Sequence, residues 1–146
     1  MSARPVPLSV AAHGGKRWRR FSSFAFAQSQ HLVPLVLPEV EAVAGCLPIV
    51  FQQDPDGAII PVALLRWPGQ TRSPYITASG AWRTAYTPSL LRAYPFSAHH
   101  HADGQLGLAV DERSGLITQD PADEPLFTPA GDLAAPTAAV LAFFQA

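Results

Sequence analysis

The sequence predicts an α+β fold: a single domain with a mainly antiparallel sheet built from hairpins, and short helices packed on it. Three observations lead there. Fifteen prolines in 146 residues, about twice the ordinary usage of ~5%, favour short elements and many turns over long helices. Two stretches of alternating apolar residues are each folded back at an Asp/Gly turn, which makes hairpins. The strand–helix–strand alternation that builds a parallel sheet does not occur. With 48% hydrophobic and 14% charged residues, the composition is that of a folding chain and not of a disordered one.

The elements follow in order. Residues 1–20 hold Arg4, Lys16, Arg17, Arg19 and Arg20 and no acid, lack periodicity, and contain Gly14-Gly15. They read as a flexible basic arm ahead of a domain at 21–146. Phe24, Phe26, Val33, Leu35 and Leu37 mark extended chain. Pro38 suits the first position of a short helix. Glu39 and Glu41 complement its dipole, Val40, Val43 and Ala44 make a buried stripe, and Gly45 closes it. Leu47, Ile49 and Phe51 alternate along a strand. Asp54-Pro55-Asp56-Gly57 is its turn, in which proline fixes φ and glycine permits positive φ. Ala58 to Trp67 returns as the partner, with Pro61 implying an edge or a bulge. Tyr75 and Ile76 begin a short strand that ends at Ser79-Gly80. Thr87 caps a helix opened by Pro88, with Leu90, Leu91 and Tyr94 on its buried side and Pro95 as its stop. Phe96–His101 and Gln105–Glu112 form a second hairpin around Ala102-Asp103-Gly104. A last helix runs from about Leu133 to Phe144, with Pro136 in its first turn.

Charge and apolar content exclude several roles. The net charge is −1, yet the last 45 residues hold one base and seven acids. The basic head and acidic tail can pair within a chain or between chains. No apolar run approaches the ~20 residues of a membrane span. The head makes a poor secretory signal, because Pro5 and Pro7 interrupt it and the arginines follow the apolar Leu8–Ala12 stretch. A cytoplasmic chain is therefore expected, with leaderless export as a route to the cell surface. One cysteine, Cys46, cannot make an internal disulfide. Lys16-Arg17-Trp18-Arg19-Arg20-Phe21 mixes cations with rings, as binders of single-stranded nucleic acid do. A chain with no net basicity argues against that partner.

Candidate chemistry is sparse. His99 and His101 share one face of a strand and His100 takes the other. With Asp103 or Asp111 they are candidate metal ligands. A catalytic zinc takes three protein ligands, and no second His or Cys pair completes the set, so neither metal nor cofactor is expected. Cys46 lies at the C-terminal end of its helix, the wrong end for a reactive thiolate. No nucleophile elbow, phosphate loop or dinucleotide glycine pattern occurs, and no catalytic residue is expected. Trp67, Trp82, Tyr86 and Tyr94 belong to an aromatic-rich stretch. Either they share an exposed face that holds a ligand or partner, or, more plainly, they are the core of a small sheet.

Several segments, taken in order, carry a family resemblance. They are Leu47-Pro48-Ile49-Val50-Phe51, Pro61-Val62-Ala63-Leu64-Leu65 and Gly80-Ala81-Trp82 with Tyr86-Thr87-Pro88. Leu91-Arg92-Ala93-Tyr94-Pro95-Phe96, Ala109-Val110-Asp111 and Pro125-Leu126-Phe127 follow. From about Phe24 onward the chain resembles the SapC family, proteins linked to bacterial surface layers, as a short or truncated member. The resemblance implies a non-enzymatic surface-layer-associated or protein-interaction protein and brings no catalytic residue. The alternative is a ligand-binding accessory module for nutrient uptake that uses the aromatic face. A metal-dependent enzyme stands third. Protein partners or self-association are expected. Phe143 and Phe144 project about 100° apart on the last helix, so a homo-oligomer would meet through that helix or through the basic arm.

Overall fold

The computed structural model describes residues 4–146. The elements are β1 (Val6–Pro7), α1 (Val10–His13), β2 (Arg17–Trp18), β3 (Leu32–Pro34), α2 (Val40–Ala44), β4 (Ile49–Gln53) and β5 (Ile59–Leu64). Then come α3 (Ser89–Arg92), β6 (Phe96–His100), β7 (Leu106–Val110), β8 (Ile117–Thr118), β9 (Glu124–Pro125) and α4 (Ala135–Gln145). The fold is α+β: among the described residues, nine strands make three small antiparallel sheets beside four short helices. They fall into two compact units. A central unit is Ser22–Arg92, and a terminal unit joins the described residues up to Phe21 to Ala93–Ala146.

The central unit is built on the sheet β3-β5-β4. The Asp54–Gly57 turn forms as its chemistry requires: the Asp54 carboxylate accepts from the Asp56 and Ala58 N–H groups, and Gly57 takes φ +88°. Val33, Leu35, Ala63 and Leu65 alternate onto the core face and are buried with Ala27, Val43, Leu47, Ile76 and Leu91. Pro61 lies in the central strand β5, not at an edge or bulge. Its carbonyl accepts from Leu35 N–H, and β3 ends at Pro34. The missing proline N–H therefore faces the place where pairing with β3 stops, so no ladder bond is lost.

Two local readings of this unit are corrected. Phe24–Ala27 is a 3-10 turn and not extended chain, begun by Ser23 Oγ accepting from Ala25 N–H. Both rings of its Phe-x-Phe pattern pack against the core cluster, with Phe24 at 5.4 Å from Trp82; the spacing mimics a strand. Ala44 is exposed, because α2 has five residues and aims Val43 inward. Tyr75 and Ile76 make one bridge, Ile76 to Trp82, across the turn that ends at Gly80. Gly80 has φ +86° and lies against Ser23, leaving no room for a Cβ.

The terminal unit contains the sheets β1-β7-β6 and β8-β2-β9. The segment expected as a flexible basic arm is woven into both. β1 pairs with β7, and β2 is the middle strand between β8 and β9. Trp18 is buried and meets Phe96 edge to face at 4.9 Å. Leu108, Val110 and Leu126 complete that core, on which α4 lays Val140, Leu141 and Phe144. The head and tail charges pair within the chain: Lys16 with Glu112 at 3.1 Å and Arg19 with Asp123 at 3.2 Å. Two-residue strands carry no readable periodicity, and their partners lie about a hundred positions away. Among the described residues no helix is long and apolar enough to cross a membrane.

Phe96→Ala should cost about 3–5 kcal/mol, the range for truncating a buried aromatic. Urea denaturation at neutral pH measures it, and an unchanged midpoint would contradict the packing described.

Candidate functional site

The most connected polar group of the central unit is the carboxylate of Glu39, which is 4% exposed. It sits at the end of the 3-10 turn Leu37–Glu39 that leads into α2. Its Oε1 accepts from Val36 N–H at 3.0 Å and from the Ser89 hydroxyl at 2.9 Å. Its Oε2 accepts from Ser89 N–H at 2.8 Å and from the Tyr86 hydroxyl at 3.1 Å. One carboxylate thus holds the start of its own helical turn and the start of α3. Four donors offset the cost of burying it.

The network continues outward from Tyr86. Arg92 donates to the Tyr86 hydroxyl at 3.2 Å, and its guanidinium lies over the Tyr86 ring. Burial, and then the Glu39 carboxylate, push the Tyr86 phenol upward, with Arg92 opposing them. The phenol therefore remains a donor to Glu39 at neutral pH. Trp82 Nε1 donates to Thr84 Oγ1 at 2.8 Å and to the Tyr86 carbonyl at 3.0 Å. Ser89 is buried and its hydroxyl donates to a carboxylate that three further donors already occupy, an arrangement that fixes structure and does not activate a nucleophile.

A second cluster lies in the terminal unit. His13, fully buried at the end of α1, places Nε2 3.1 Å from Glu112 Oε1. Its Nδ1 faces the Ser9 backbone. Lys16 reaches the same Glu112 oxygen, and its ammonium is the main reason the Glu112 carboxyl lies below the ordinary range. The cluster staples α1 to the 3-10 turn Glu112–Ser114.

The residues singled out from the sequence are distributed differently from any one site. His99 and His101 do share a face of the β6 hairpin, their rings edge to face at 5.0 Å. Asp103 instead accepts from Gln105 N–H and shapes the turn. Among the described residues no three His, Cys, Asp or Glu side chains converge as metal ligands. Trp82 and Tyr86 come together in the central unit, packed on its core. Trp67 is exposed after β5. Tyr94 belongs to the terminal unit, where its hydroxyl lies 3.3 Å from Asp111 Oδ2. Cys46 packs half-buried at the core edge, its thiol directed at backbone carbonyls.

Sequence reasoning missed Glu39 as a bridge, Ser89 as its partner, Arg92 as the partner of Tyr86, and His13. A glutamate placed to reach back to Val36 N–H is a readable helix-start signal. That its other oxygen serves a second helix fifty residues on is not readable.

The SapC family model matches residues 8–146. The chain belongs to the SapC family. No curated protein and no solved structure matches it. Of the segments that carry the family resemblance, Tyr86-Thr87-Pro88 supplies one donor to Glu39, the Tyr86 hydroxyl, and Tyr94-Pro95-Phe96 supplies the Asp111 contact and the Trp18 packing.

Two outcomes follow. Glu39→Ala leaves Ser89 N–H and Val36 N–H without their acceptor and should cost about 2–6 kcal/mol, at ~1–3 kcal/mol for each stranded donor. Glu39→Gln, which keeps one acceptor, should cost less; chemical denaturation ranks the two, and equal midpoints for wild type and Glu39→Ala would contradict the bridge. Burial, with Asp111 adding to it, pushes the Tyr94 phenol up to about 12. An unfolded tyrosine ionises near ~10, so Tyr94 favours the folded state fully below that pH and ceases to do so as pH rises through about 12. Tyr94→Phe should therefore flatten the alkaline loss of stability, read as denaturation midpoint against pH.

Proposed function

We propose that this SapC chain is a non-enzymatic protein that works by binding other proteins, in the setting of the bacterial surface layer that its family resemblance implies. The observation that supports this most is where its apolar surface lies. Of nine exposed large hydrophobic residues among the described residues, six (Val36, Leu37, Val50, Phe51, Ile59 and Trp67) fall in the central unit. Leu37 is 77%, Phe51 73% and Ile59 65% exposed. Phe51 and Ile59 lie on one face of the β4–β5 hairpin, and exposed apolar side chains that lie together mark contact surfaces. In the same unit Glu39 and Tyr86 are engaged with internal partners.

An aromatic ligand module draws less support. Of its four rings, Trp82 and Tyr86 commit their polar atoms to internal bonds, Tyr94 lies in the other unit, and Trp67 alone is exposed.

Co-sedimentation of the purified chain with isolated surface-layer sheets tests the reading. The wild type should pellet with the sheets, and an Ile59→Asp/Leu37→Asp variant of unchanged melting temperature should stay in solution. A wild type that never pellets would overturn the surface-layer reading. Saturable quenching of tryptophan fluorescence by a saccharide or peptide would then favour the ligand module.

A further inference from the structure

We infer that β4 is a pairing edge at which two copies of this chain join antiparallel, strand to strand, about a two-fold axis at Phe51. This deepens the interaction reading above and rests on it for the idea that the exposed surface is used.

The argument starts from hydrogen-bond parity. Leu64 N–H donates to the Pro48 carbonyl and Asp54 N–H to the Ala58 carbonyl. Even-numbered residues of β4 therefore bond to β5, and Ile49, Phe51 and Gln53 turn their N–H and C=O groups outward. β4 is the last strand of its sheet, and its residues from Val50 to Gln53 are exposed. An open ladder is a template for another extended strand.

The usual protections are missing here and present at the opposite edge of the same sheet; β6, an edge strand of the terminal unit, also lacks proline and Lys, Arg, Asp or Glu, but it ends in His99-His100 and carries no exposed large apolar side chain. Native edges carry prolines, charges or bulges, or are very short. The opposite edge, β3, has three residues and includes Pro34. β8 and β9 have two residues each, and β9 ends in Pro125. β4 is Ile-Val-Phe-Gln-Gln over five residues, with no proline, glycine or charge.

The occupant is a second copy because the strand is complementary to itself. Centring the pair on Phe51 sets Ile49 opposite the other copy's Gln53, and Phe51 opposite Phe51. The outward amides of all three residues then find carbonyls. Two rings that are each 73% exposed meet across the axis, beside Ile59 of each copy, which pairs with Gln53 and lies on the same face. Charge does not oppose the contact. β4 and β5 contain no ionisable side chain, and Asp54 of one copy falls opposite Pro48 of the other, away from its own counterpart. The product is a continuous six-stranded sheet with Pro34-containing β3 strands at both ends.

Light scattering on the full chain across a concentration series tests this. The wild type should dimerise. Phe51→Lys and Phe51→Glu should each weaken the dimer at least about tenfold, the equivalent of ~1.4 kcal/mol, and mixing the two should restore it, because position 51 faces itself. Gln53→Pro removes one outward N–H while leaving the backbone ladder to β5 whole, and should weaken the dimer while the chain stays folded by circular dichroism; Gln53→Ala, which loses only the side-chain bond to the Gly57 carbonyl, should keep the dimer. Hydrogen exchange should slow at the Ile49, Phe51 and Gln53 amides on association, and not at Val50 or Gln52. A wild type monomeric up to its solubility limit overturns the proposal. So does a dimer indifferent to Phe51→Lys, or broken by Phe143→Asp instead, or a mixture of the two Phe51 variants that stays monomeric. Layer co-sedimentation is measured separately: a dimer that never pellets would sink the surface-layer reading alone, and a monomer that pellets would sink this proposal alone.

Discussion

Burying the Glu39 carboxylate is the constraint around which the central unit is arranged. A carboxylate taken out of water without partners costs many kcal/mol, so its position demands donors from several directions. They come from the backbone before α2, from the hydroxyl and backbone of Ser89 and from Tyr86. Each donor is tied to further structure. Ser89 begins α3, which buries Leu91 in the core, and the Tyr86 carbonyl receives Trp82 Nε1. Helices of four and five residues have little stability of their own. A shared acceptor at both starts supplies the fixed geometry that length does not.

The terminal unit solves the same problem of short elements by closure over long sequence distance. β2 has two residues, yet it is flanked by β8 and β9 and anchored by Trp18 against Phe96. Arg17 donates to the Asp123 carbonyl, and Arg19 and Lys16 meet carboxylates from the far end of the chain. Exposed pairs of this kind contribute little singly. Their significance is positional, since they repeat in charge the register that the strands set in hydrogen bonds. The head-to-tail charge asymmetry is thereby answered inside one molecule, and the cations that resembled a nucleic-acid arm already have partners.

What the sequence made legible follows the range of the interactions. Both main hairpins were readable because turn chemistry and alternation are local, as at Asp54–Gly57 and His101–Gln105. The last helix was readable from Pro136 and its apolar content. The head was not, because β1, α1 and β2 exist only through β7, β8 and β9. Pro61 misled because a proline argues against a central strand in general, whereas here its missing N–H coincides with the end of β3. The candidate sites fared less well. His99 and His101 were placed together correctly, but Asp103 closes its own turn. Glu39 was recognised for its local role at a helix start, while its link to Ser89 depends on tertiary packing that no short-range pattern encodes.

The distribution of satisfied and unsatisfied groups then bears on what this SapC chain is built to do. A site for chemistry keeps a polar group poised for a reactant, held in place yet with bonding capacity to spare. Here the buried polar groups Glu39, Ser89 and His13 face partners from the chain itself. Open capacity lies on the uncharged edge of β4, and inside at Trp18 Nε1 and Arg66 Nε, which are buried without a hydrogen-bond partner. Backbone amides facing water on a strand like Ile-Val-Phe-Gln-Gln are a liability that folded proteins ordinarily suppress with a proline or a lysine. The same sheet does suppress it at β3 with Pro34, where the chain could have left another open edge. A fold that guards β3 with Pro34 and leaves β4 open offers one uncharged edge of that sheet for the strand pairing proposed above.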